Sequence, residues 1–377
     1  MGPMRRPLQV ILDVTARCNL KCVMCYFSET DRLHFAPADV PTPEDGNMSL
    51  PVFERIAAEF FPRAGRVALG CAAEPMIHPR FREILEVAGR YGVPDLWFPT
   101  NLLALSEPTA ETLVRSGVRT VAASIDGTTP ETYEKIRVPA RWEHLLSRLE
   151  LLRDVKRRHR TDRPRLRIIF TWMKSNRAEL ASLPAFAAKQ GAVELDVRYV
   201  VPTVGVDVTP ELLSQEDPIQ LNTELASAAR EAVGRGLRLA SYPDFDSSLR
   251  RPRDPFSRIK RRLWRIRAGI DKPEHLRYMW NQKMRGCAYP GDYYVIRPNG
   301  AVAPCIFWDR EPIGFFPAQG LAEISTGEPL ARIRKGLRSG HPQGTCASCG
   351  ERRSALYGPR DAPKAELRTA AKKLFRA

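Results

Sequence analysis

The sequence lacks three features that mark common functional classes. No apolar run approaches the roughly 18 residues that a membrane span needs, so we predict no transmembrane segment. The six histidines are scattered without a pair at metal-ligand spacing. No glycine-rich phosphate loop of the G-x-x-x-x-G-K-S/T kind occurs either. These absences leave no support for a hydrolase or a kinase.

The first residues also lack an export signal. The apolar stretch behind Arg5 and Arg6 meets Asp13 and Arg17 before a signal-peptide core is complete. We therefore expect a cytoplasmic protein, in which thiols stay reduced and clustered cysteines more often bind metal than form disulfides. The eight cysteines form a group of three, a group of four and one single residue. They are Cys18, Cys22 and Cys25; Cys287, Cys305, Cys346 and Cys349; and Cys71.

The charge balance is strongly basic, with 59 Lys and Arg, 43 Asp and Glu, and a net charge of +16. Such a charge favours an anionic partner such as phosphate, nucleic acid or an acidic membrane surface. A basic segment at 250–267 carries Ile259, Leu263 and Ile266 at helical spacing. This pattern predicts either a peripheral contact with an anionic membrane or acidic substrate, or ordinary packing of a solvated helix. The tail at 362–377 has the same character.

Short apolar runs alternate with amphipathic stretches from Leu8 to Tyr199, as in repeated strand-helix units around a parallel sheet. Thr129 before Pro130 predicts a capped helix start, and Ser49 predicts a weaker one. We predict six strands, which right-handed crossovers would curl into an open barrel. Their approximate bounds are Gln9–Val14, Arg66–Gly70, Asp95–Phe98, Thr120–Ser124, Arg165–Thr171 and Glu194–Tyr199.

Beyond this region the pattern changes to a proline-punctuated stretch, a predicted helix at about 215–235 and then a hairpin. Two apolar runs, Tyr293–Ile296 and Ala301–Ile306, flank Pro298-Asn299-Gly300, and Asn-Gly between apolar runs is a strong hairpin signal. The changes of pattern divide the chain into four parts. They are a barrel at 1–205, a linker or insert with the basic segment at 206–285, a cysteine-bearing domain at 286–355 and a basic tail at 356–377.

The first cysteine group lies directly after the first predicted strand, in the motif C-x3-C-x2-C. Three thiolates would leave one iron of a [4Fe-4S] cluster open to another ligand. The motif closely resembles that of the radical S-adenosylmethionine (SAM) superfamily. The resemblance implies that SAM binds the open iron and is cleaved reductively to a 5′-deoxyadenosyl radical. A structural zinc site is the alternative, although the nearest histidine, His34, lies nine residues past Cys25.

Three further segments resemble this superfamily, each at the end of a predicted strand. Ala72-Ala73-Glu74-Pro75 resembles the Gly-Gly-Glu-Pro turn that binds the SAM amino group. Because both glycines are replaced by alanine, we expect a strained backbone there. Thr100-Asn101 and Ser124-Ile125-Asp126-Gly127 resemble the segments that line the SAM pocket. The resemblance thus implies that Ala73, Glu74, Asn101, Ser124 and Asp126 bind SAM.

Four single residues have two readings each. By the same resemblance, Met24 and Tyr26 would lie against the adenine of SAM, or they would simply pack over the cluster. Arg198 would reach the SAM carboxylate or the substrate, or it would form a surface ion pair. Cys71 would donate a hydrogen atom to a substrate radical as a catalytic residue, or it would be a small buried apolar residue.

The second cysteine group resembles the auxiliary-cluster region of the SPASM and twitch subfamilies of radical SAM enzymes. Cys287 and Cys305 would meet across the hairpin, and Cys346 and Cys349 form a C-x2-C pair. Full SPASM domains carry about seven cysteines, so four here predict one auxiliary [4Fe-4S] cluster. A zinc ribbon with four thiolate ligands remains the alternative.

The resemblance implies an α/β fold, a partial (β/α)6 TIM-like barrel with a small C-terminal SPASM/twitch-like iron-sulfur domain. It also implies hydrogen abstraction from a substrate, with dehydrogenation, epimerisation and cross-linking all open. The auxiliary cluster would transfer electrons, and a flavodoxin or ferredoxin would supply them. A small molecule, sugar or lipid precursor is favoured over a peptide, because the chain begins almost directly at the first barrel strand. A non-catalytic metal-binding protein that contacts nucleic acid through its basic surface is the alternative hypothesis.

Overall fold

The computed structural model describes residues 8–25, 43, 45–200, 206–213, 216–241, 287, 289–308 and 310–349. Ten strands and ten α-helices lie within them. The strands are β1 Leu8–Leu12, β2 Ala64–Ala68, β3 Asp95–Thr100, β4 Thr120–Ser124, β5 Arg165–Trp172, β6 Ala192–Tyr199, β7 Arg238–Ser241, β8 Tyr293–Ile296, β9 Ala301–Ala303 and β10 Gly314–Phe315. The helices are α1 Leu50–Phe60, α2 Phe81–Gly89, α3 Glu107–Arg115, α4 Pro130–Ile136, α5 Trp142–Arg158, α6 Leu183–Lys189, α7 Pro218–Gly234, α8 Leu321–Thr326, α9 Glu328–Ser339 and α10 Thr345–Ser348.

All ten strands belong to one sheet, in the order β10-β9-β8-β1-β2-β3-β4-β5-β6-β7. Every neighbouring pair from β8 to β7 is parallel, whereas β9 is antiparallel to both β8 and β10. At least one helix connects each consecutive pair of strands from β1 to β7. This arrangement confirms the predicted α/β class and the TIM-like barrel of strand-helix units.

The six predicted strands are all present, but the parallel sheet is longer than predicted. β7 lies in the stretch predicted to be a linker and pairs with β6, and its four residues are too few to show a period. β8 pairs with β1 in a register that runs from Gln9 opposite Tyr293 to Leu12 opposite Ile296. The C-terminal hairpin therefore extends the barrel sheet, although the sequence pattern suggested a separate unit.

Alternate residues of the strands face either the surrounding helices or the inside of the barrel. On β3, Leu96 and Phe98 are buried in the core that the helices cover. Trp97 alternates with them and lies on the opposite face. There the guanidinium carbons of Arg66 and Arg167 lie 4.9 and 5.5 Å from the centroid of the Trp97 ring. Helix packing thus supplies most of the hydrophobic core, and the inner face carries both charged side chains and a smaller apolar cluster against which Trp97 packs.

Local capping explains several helix starts. Thr129 Oγ1 accepts a hydrogen bond from Thr132 N at 3.5 Å, which confirms the predicted start of α4. Ser49 precedes α1 but makes no side-chain capping bond. Asp217 Oδ1 accepts from Ile219 N at 2.9 Å and caps α7, the helix predicted at about 215–235.

A tight turn joins β8 and β9, as the Asn-Gly pair predicted. Gly300 has a φ of +81°, and a Cβ atom there would lie 1.8 Å from the carbonyl oxygen of Phe316. Only glycine fits this position. β9 ends at Ala303, three residues earlier than predicted.

Within the described ranges, no helix has the length and apolar character to cross a membrane. The basic segment at 250–267, the tail at 362–377 and Tyr26 lie outside the described residues.

Candidate functional site

The predicted site residues of the barrel gather at the carboxyl edge of the parallel strands. The loop of Cys18, Cys22 and Cys25 follows β1, and Cys71 lies shortly after β2. Ser124 is the last residue of β4 and is partly buried. Parallel strands place their carboxyl ends together, so residues far apart in sequence line one face.

Backbone hydrogen bonds hold the three-cysteine loop on both sides of Cys22. Lys21 N donates to the carbonyl oxygen of Val138 at 2.6 Å, and Val23 N donates to that of Ile136 at 3.0 Å. Both acceptors lie at the carboxyl end of α4 and just beyond it. The loop is therefore docked on the segment that follows β4.

Arg137 lies between these two acceptors and contacts the middle cysteine. Its guanidinium hydrogen-bonds the buried Cys22 thiol. Its Nε also donates to Asp126 Oδ2 at 2.7 Å, and its NH2 group lies 2.5 Å from the same oxygen. Burial raises the pKa of the Cys22 thiol, and the Arg137 charge acts in the opposite direction.

Asp126 is completely buried and its carboxylate is used inside the protein. Besides the Arg137 pair, Asp126 Oδ1 accepts from Thr171 N at 2.7 Å. Asn176 Nδ2 donates to the Asp126 carbonyl oxygen at 3.0 Å and to that of Thr171 at 2.8 Å. Asp126 was expected to line the SAM pocket, and the structure gives it in addition the position of counter-ion to Arg137.

A second network holds the loop from the side of β3. Asn101 Nδ2 donates to Asn19 Oδ1, inside the cysteine motif, at 2.7 Å. Asn101 N donates to Glu74 Oε2 at 2.6 Å, and Thr100 Oγ1 donates to Glu74 Oε1 at 2.7 Å. Glu74 N in turn donates to the carbonyl oxygen of Arg17 at 3.0 Å. The structure thus brings Glu74 and Asn101 together beside the loop, as the sequence predicted.

The Glu74 carboxyl group is buried among hydrogen-bond donors, including Met76 N at 3.1 Å. Desolvation raises its pKa to about 7, although the bonds from Asn101 and Thr100 act in the opposite direction. A cationic amino group beside it would favour its ionised form. Glu74 therefore fits the role of an acceptor for such a group.

The expected backbone strain at Ala72 and Ala73 is absent. Neither residue has a positive φ; among the non-glycine residues described, only Leu102 and Arg160 do. Gly70, two residues earlier, has a φ of +120° instead. The prediction of strain was wrong because the left-handed conformation belongs to Gly70, which tolerates it.

Asp13 connects this turn to the C-terminal part of the chain. Its Oδ1 accepts from Cys71 N at 2.8 Å and from Ala72 N at 3.3 Å. Its Oδ2 pairs with the guanidinium of Arg297, which follows β8. Both side chains are buried, with exposed fractions of 1% and 4%. One carboxylate thus joins β1, the turn before Glu74 and the C-terminal hairpin.

Cys71 lies at the rim of the barrel, as predicted. Its side chain is exposed to solvent, yet surrounding protein atoms raise its pKa to about 12, with the Asp13 charge adding to the shift. Arg198, Arg297 and Tyr293 lie within electrostatic range of the same thiol.

Arg198 is an ion-paired residue, which is one of its two predicted readings. Its Nε and NH2 groups donate to Asp196 Oδ1 and Oδ2 at 3.1 and 2.6 Å. The side chain remains 52% exposed and lies near both Cys71 and Asp126. It can therefore contact a ligand without breaking its pair with Asp196.

Met24 packs in an apolar cluster at the carboxyl ends of β5 and β6. The cluster contains Ile136, Met173, Val200 and Val208. Met24 therefore has apolar protein neighbours, and its position against the adenine or over the iron-sulfur cluster stays a prediction.

The chemistry of the first cysteine group fits an iron-sulfur cluster. The three thiols lie close enough to act on one another's pKa. Burial raises the pKa of Cys18 to about 11. In the part of the chain that the structure describes, no three His, Cys, Asp or Glu side chains converge on one metal ion. A cluster binds each thiolate through a different iron, so its ligands need not converge on one point.

The second cysteine group lines a single cavity. Cys287 precedes β8, Cys305 follows β9, and Cys346 and Cys349 lie in and after α10. The remaining walls are mostly apolar and aromatic. The residues that line the cavity are Cys287, Tyr289, Pro290, Pro304, Cys305, Phe307, Trp308, Leu337, Thr345, Cys346 and Cys349. The pKa of Cys305 is raised to about 12 by burial, and the three other thiols add to the shift.

Two family models match the regions that carry these cysteines. The Radical SAM superfamily model matches residues 12–164, and the SPASM iron-sulfur cluster-binding domain model matches residues 287–350. The chain therefore contains a radical SAM domain and a C-terminal SPASM domain. The radical SAM domain binds a [4Fe-4S] cluster and SAM, and the SPASM domain binds auxiliary iron-sulfur clusters.

Several curated proteins are similar in sequence to part of this chain. The AdoMet-dependent heme synthase of Methanosarcina barkeri is 29% identical over 210 residues, 55% of this chain and 54% of the relative. A cofactor-modifying protein for tungsten-containing aldehyde ferredoxin oxidoreductase of Pyrococcus furiosus is 32% identical over 117 residues, 30% of each chain. A GTP 3′,8-cyclase of Microcystis aeruginosa is 29% identical over 136 residues, 35% of this chain and 39% of the relative. The chain spans about half the length of these relatives, or less.

Solved structures share the fold of the radical SAM protein over most of its length. SuiB of Streptococcus suis, bound to the precursor peptide SuiA, has a TM-score of 0.61 at 15% identity and covers 89% of this chain and 67% of its own. The anSMEcpe enzyme with bound AdoMet has a TM-score of 0.54 at 14% identity, with 86% and 82% covered. At these identities the likeness supports the fold alone.

Sequence reasoning missed four polar residues that hold the site together: Asp13, Asn19, Arg137 and Arg297. Asn19 lies inside the cysteine motif, so its position carried a signal. The other three act through contacts across the fold, and Asp13 and Arg297 are 284 residues apart. No local pattern reports such pairs.

Proposed function

We propose that this protein is a radical SAM oxidoreductase or maturase that abstracts a hydrogen atom from a substrate bound at the carboxyl edge of its barrel. The observation that supports it best is the docked loop of Cys18, Cys22 and Cys25 at that edge. When bound, the cluster and SAM supply a 5′-deoxyadenosyl radical and methionine, using one electron from a flavodoxin- or ferredoxin-type donor.

The residues around the loop would orient SAM. Glu74 would accept a hydrogen bond from its amino group, since its buried carboxylate lies beside the loop. Ala73, Asn101 and Ser124 would form the surrounding wall. Asp126 would act from behind the wall, since its carboxylate is already bound inside the protein. Such an arrangement would hold SAM in one geometry before the reaction.

Arg198 would bind an acidic group of the substrate or the carboxylate of SAM. Its half-exposed guanidinium lies at the end of β6, beside Cys71. We favour a small molecule, sugar or lipid precursor as the substrate, with a peptide as the competing class. Relatives named for GTP and heme chemistry agree with the first class, and the SuiB complex with a precursor peptide agrees with the second. Activity assays with small-molecule and with peptide substrates would distinguish the two classes.

Cys71 would donate a hydrogen atom to the substrate radical if the reaction is an epimerisation. The donor must be a thiol and not a thiolate, and the raised pKa of Cys71 keeps the proton on sulfur at neutral pH. The resulting thiyl radical would regain one electron from the external reductant and one proton from solvent. A product from the Cys71→Ala variant that still acquires solvent deuterium in deuterated buffer would exclude this role.

The SPASM cysteines would hold one auxiliary cluster that transfers electrons to or from the substrate radical. The four thiolates around this apolar cavity would occupy every protein-ligand position of one [4Fe-4S] cluster. A reducing, cytoplasmic location would keep the thiols of both groups available for iron-sulfur ligation.

Anaerobic purification followed by iron, sulfide and zinc analysis tests the proposal first. About eight irons per chain are expected for two clusters. Dithionite and SAM should then yield 5′-deoxyadenosine, which the Cys22→Ala variant should not form. Ser147→Ala, an exposed position on α5, is the control and should retain full activity. Zinc in place of iron, or no SAM cleavage with any reductant, would contradict the proposal and favour the structural metal protein.

A further inference from the structure

Arg137 and Asp126 form a buried ion pair directly behind the three-cysteine loop. The Asp126 carboxylate is fully buried, and the Arg137 side chain is 10% exposed. Two charges in such a site are costly to desolvate and need a close partner each. Arg137 has a second contact besides Asp126, the sulfur of Cys22. The pair therefore presents its positive member to the loop and its negative member to the protein interior.

The backbone next to Arg137 is tied to the same cysteine. The carbonyl groups of Ile136 and Val138, on either side of Arg137, accept hydrogen bonds from Lys21 and Val23, on either side of Cys22. A displacement of the Arg137 segment would therefore displace Cys22. Elsewhere in the loop, Leu20 N donates to the Cys18 sulfur at 3.5 Å, and Cys25 N donates to the Cys22 carbonyl oxygen at 3.0 Å.

We propose that Arg137 is a positioning residue that fixes Cys22 and raises the reduction potential of the cluster held by this loop, with Asp126 setting the size of the effect. The inference rests on the proposed function. A hydrogen bond and a positive charge at a ligating sulfur stabilise the reduced cluster, which carries one more negative charge. The Asp126 carboxylate opposes this stabilisation because it partly neutralises the guanidinium.

The variants should shift the reduction potential in both directions relative to the wild type. Asp126→Asn leaves the Arg137 charge without its counter-ion, so the potential should rise above that of the wild type. Arg137→Met removes the charge and the bond to sulfur, so the potential should fall. The double variant removes both charges and should lie between the wild type and Arg137→Met. Arg137→Lys keeps the charge without the planar fork and should recover part of the loss.

The test is a redox titration of the anaerobically reconstituted full chain. Electron paramagnetic resonance monitors the cluster whose signal SAM changes. Arg137→Met should lower the ratio of reduced to oxidised cluster at fixed potential by at least tenfold, which is 59 mV for one electron. Arg141→Met is the matched control, because Arg141 is an exposed arginine paired with Glu134. It should titrate with the wild type.

If Arg137→Met does not assemble a cluster, the opposite shift in Asp126→Asn and the intermediate position of the double variant decide the question. Variants that all titrate within twofold of the wild type would overturn the inference. Loss of cluster with unchanged potential in the remaining variants would also overturn it. A wild type that binds no cluster perturbed by SAM would instead contradict the proposed function, so the two failures are distinguishable.

Discussion

The two cysteine groups are held in different ways. The loop of Cys18, Cys22 and Cys25 is held by polar contacts from the ends of several barrel elements, including Asn101 and Arg137. The four SPASM cysteines instead line a cavity with mostly apolar and aromatic walls. Polar contacts that fix the position of the ligating loop suit a cluster that must bind SAM. Apolar surroundings suit a cluster that only exchanges electrons. The difference suggests a division of labour between the two groups.

Removal of one cysteine ligand from each group should separate the roles of the two groups most clearly. Cys22→Ser should abolish 5′-deoxyadenosine formation and remove about half of the iron. Cys305→Ser should remove the other half, with SAM cleavage within about tenfold of the wild type. Iron analysis and the uncoupled cleavage assay measure both. Equal loss of SAM cleavage in the two variants would show that the groups are not independent.

The Asp13 and Arg297 pair should matter because it joins the two regions. Either Asp13→Asn or Arg297→Met leaves a buried charge without its partner, which should destabilise the protein by roughly 3–5 kcal/mol. The double variant should lose less than the sum of the single changes. Anaerobic denaturant unfolding of the cluster-loaded protein measures these differences. Single variants that differ from the wild type by less than about 1 kcal/mol would mean that the pair contributes little.

Glu74 should make stability depend on pH. Its folded pKa of about 7 exceeds the ordinary value of 4.5, so the folded state holds the proton more tightly than the unfolded state. The stabilisation that comes from this tighter proton binding is therefore complete below pH 4.5 and is lost as the pH rises through 7. Relative to Glu74→Gln, the wild type should lose up to about 3 kcal/mol across this window. Unfolding of both proteins without SAM at a series of pH values measures it, and parallel curves would contradict it.

The smallest expected effect concerns the turn before Glu74. Gly70→Ala would force an alanine to a φ of +120° and should cost roughly 1–3 kcal/mol. Ala72→Gly is the control, since Ala72 has no positive φ, and it should change stability by less than about 1 kcal/mol. The reverse order of the two effects would show that the turn has another conformation.

Much of the barrel could be predicted because its information is local. A short apolar run predicted β4 with both ends correct, and the Asn299-Gly300 pair predicted the hairpin of β8 and β9. The position of β8 beside β1 could not be predicted, because strand partners depend on packing across the whole chain. The same limit applies to the site. The cysteines were visible as a motif, whereas Asp13 and Arg137 act only through partners brought close by folding.

The most direct test of the division of labour is electron paramagnetic resonance of the reduced full chain with and without SAM. We predict two cluster signals, of which SAM changes one, and loss of the changed signal alone in Cys22→Ala. The Cys305→Ser variant should keep the signal that responds to SAM. A response to SAM that persists in Cys22→Ala, or that disappears in Cys305→Ser, would contradict the assignment of SAM chemistry to the first cysteine group.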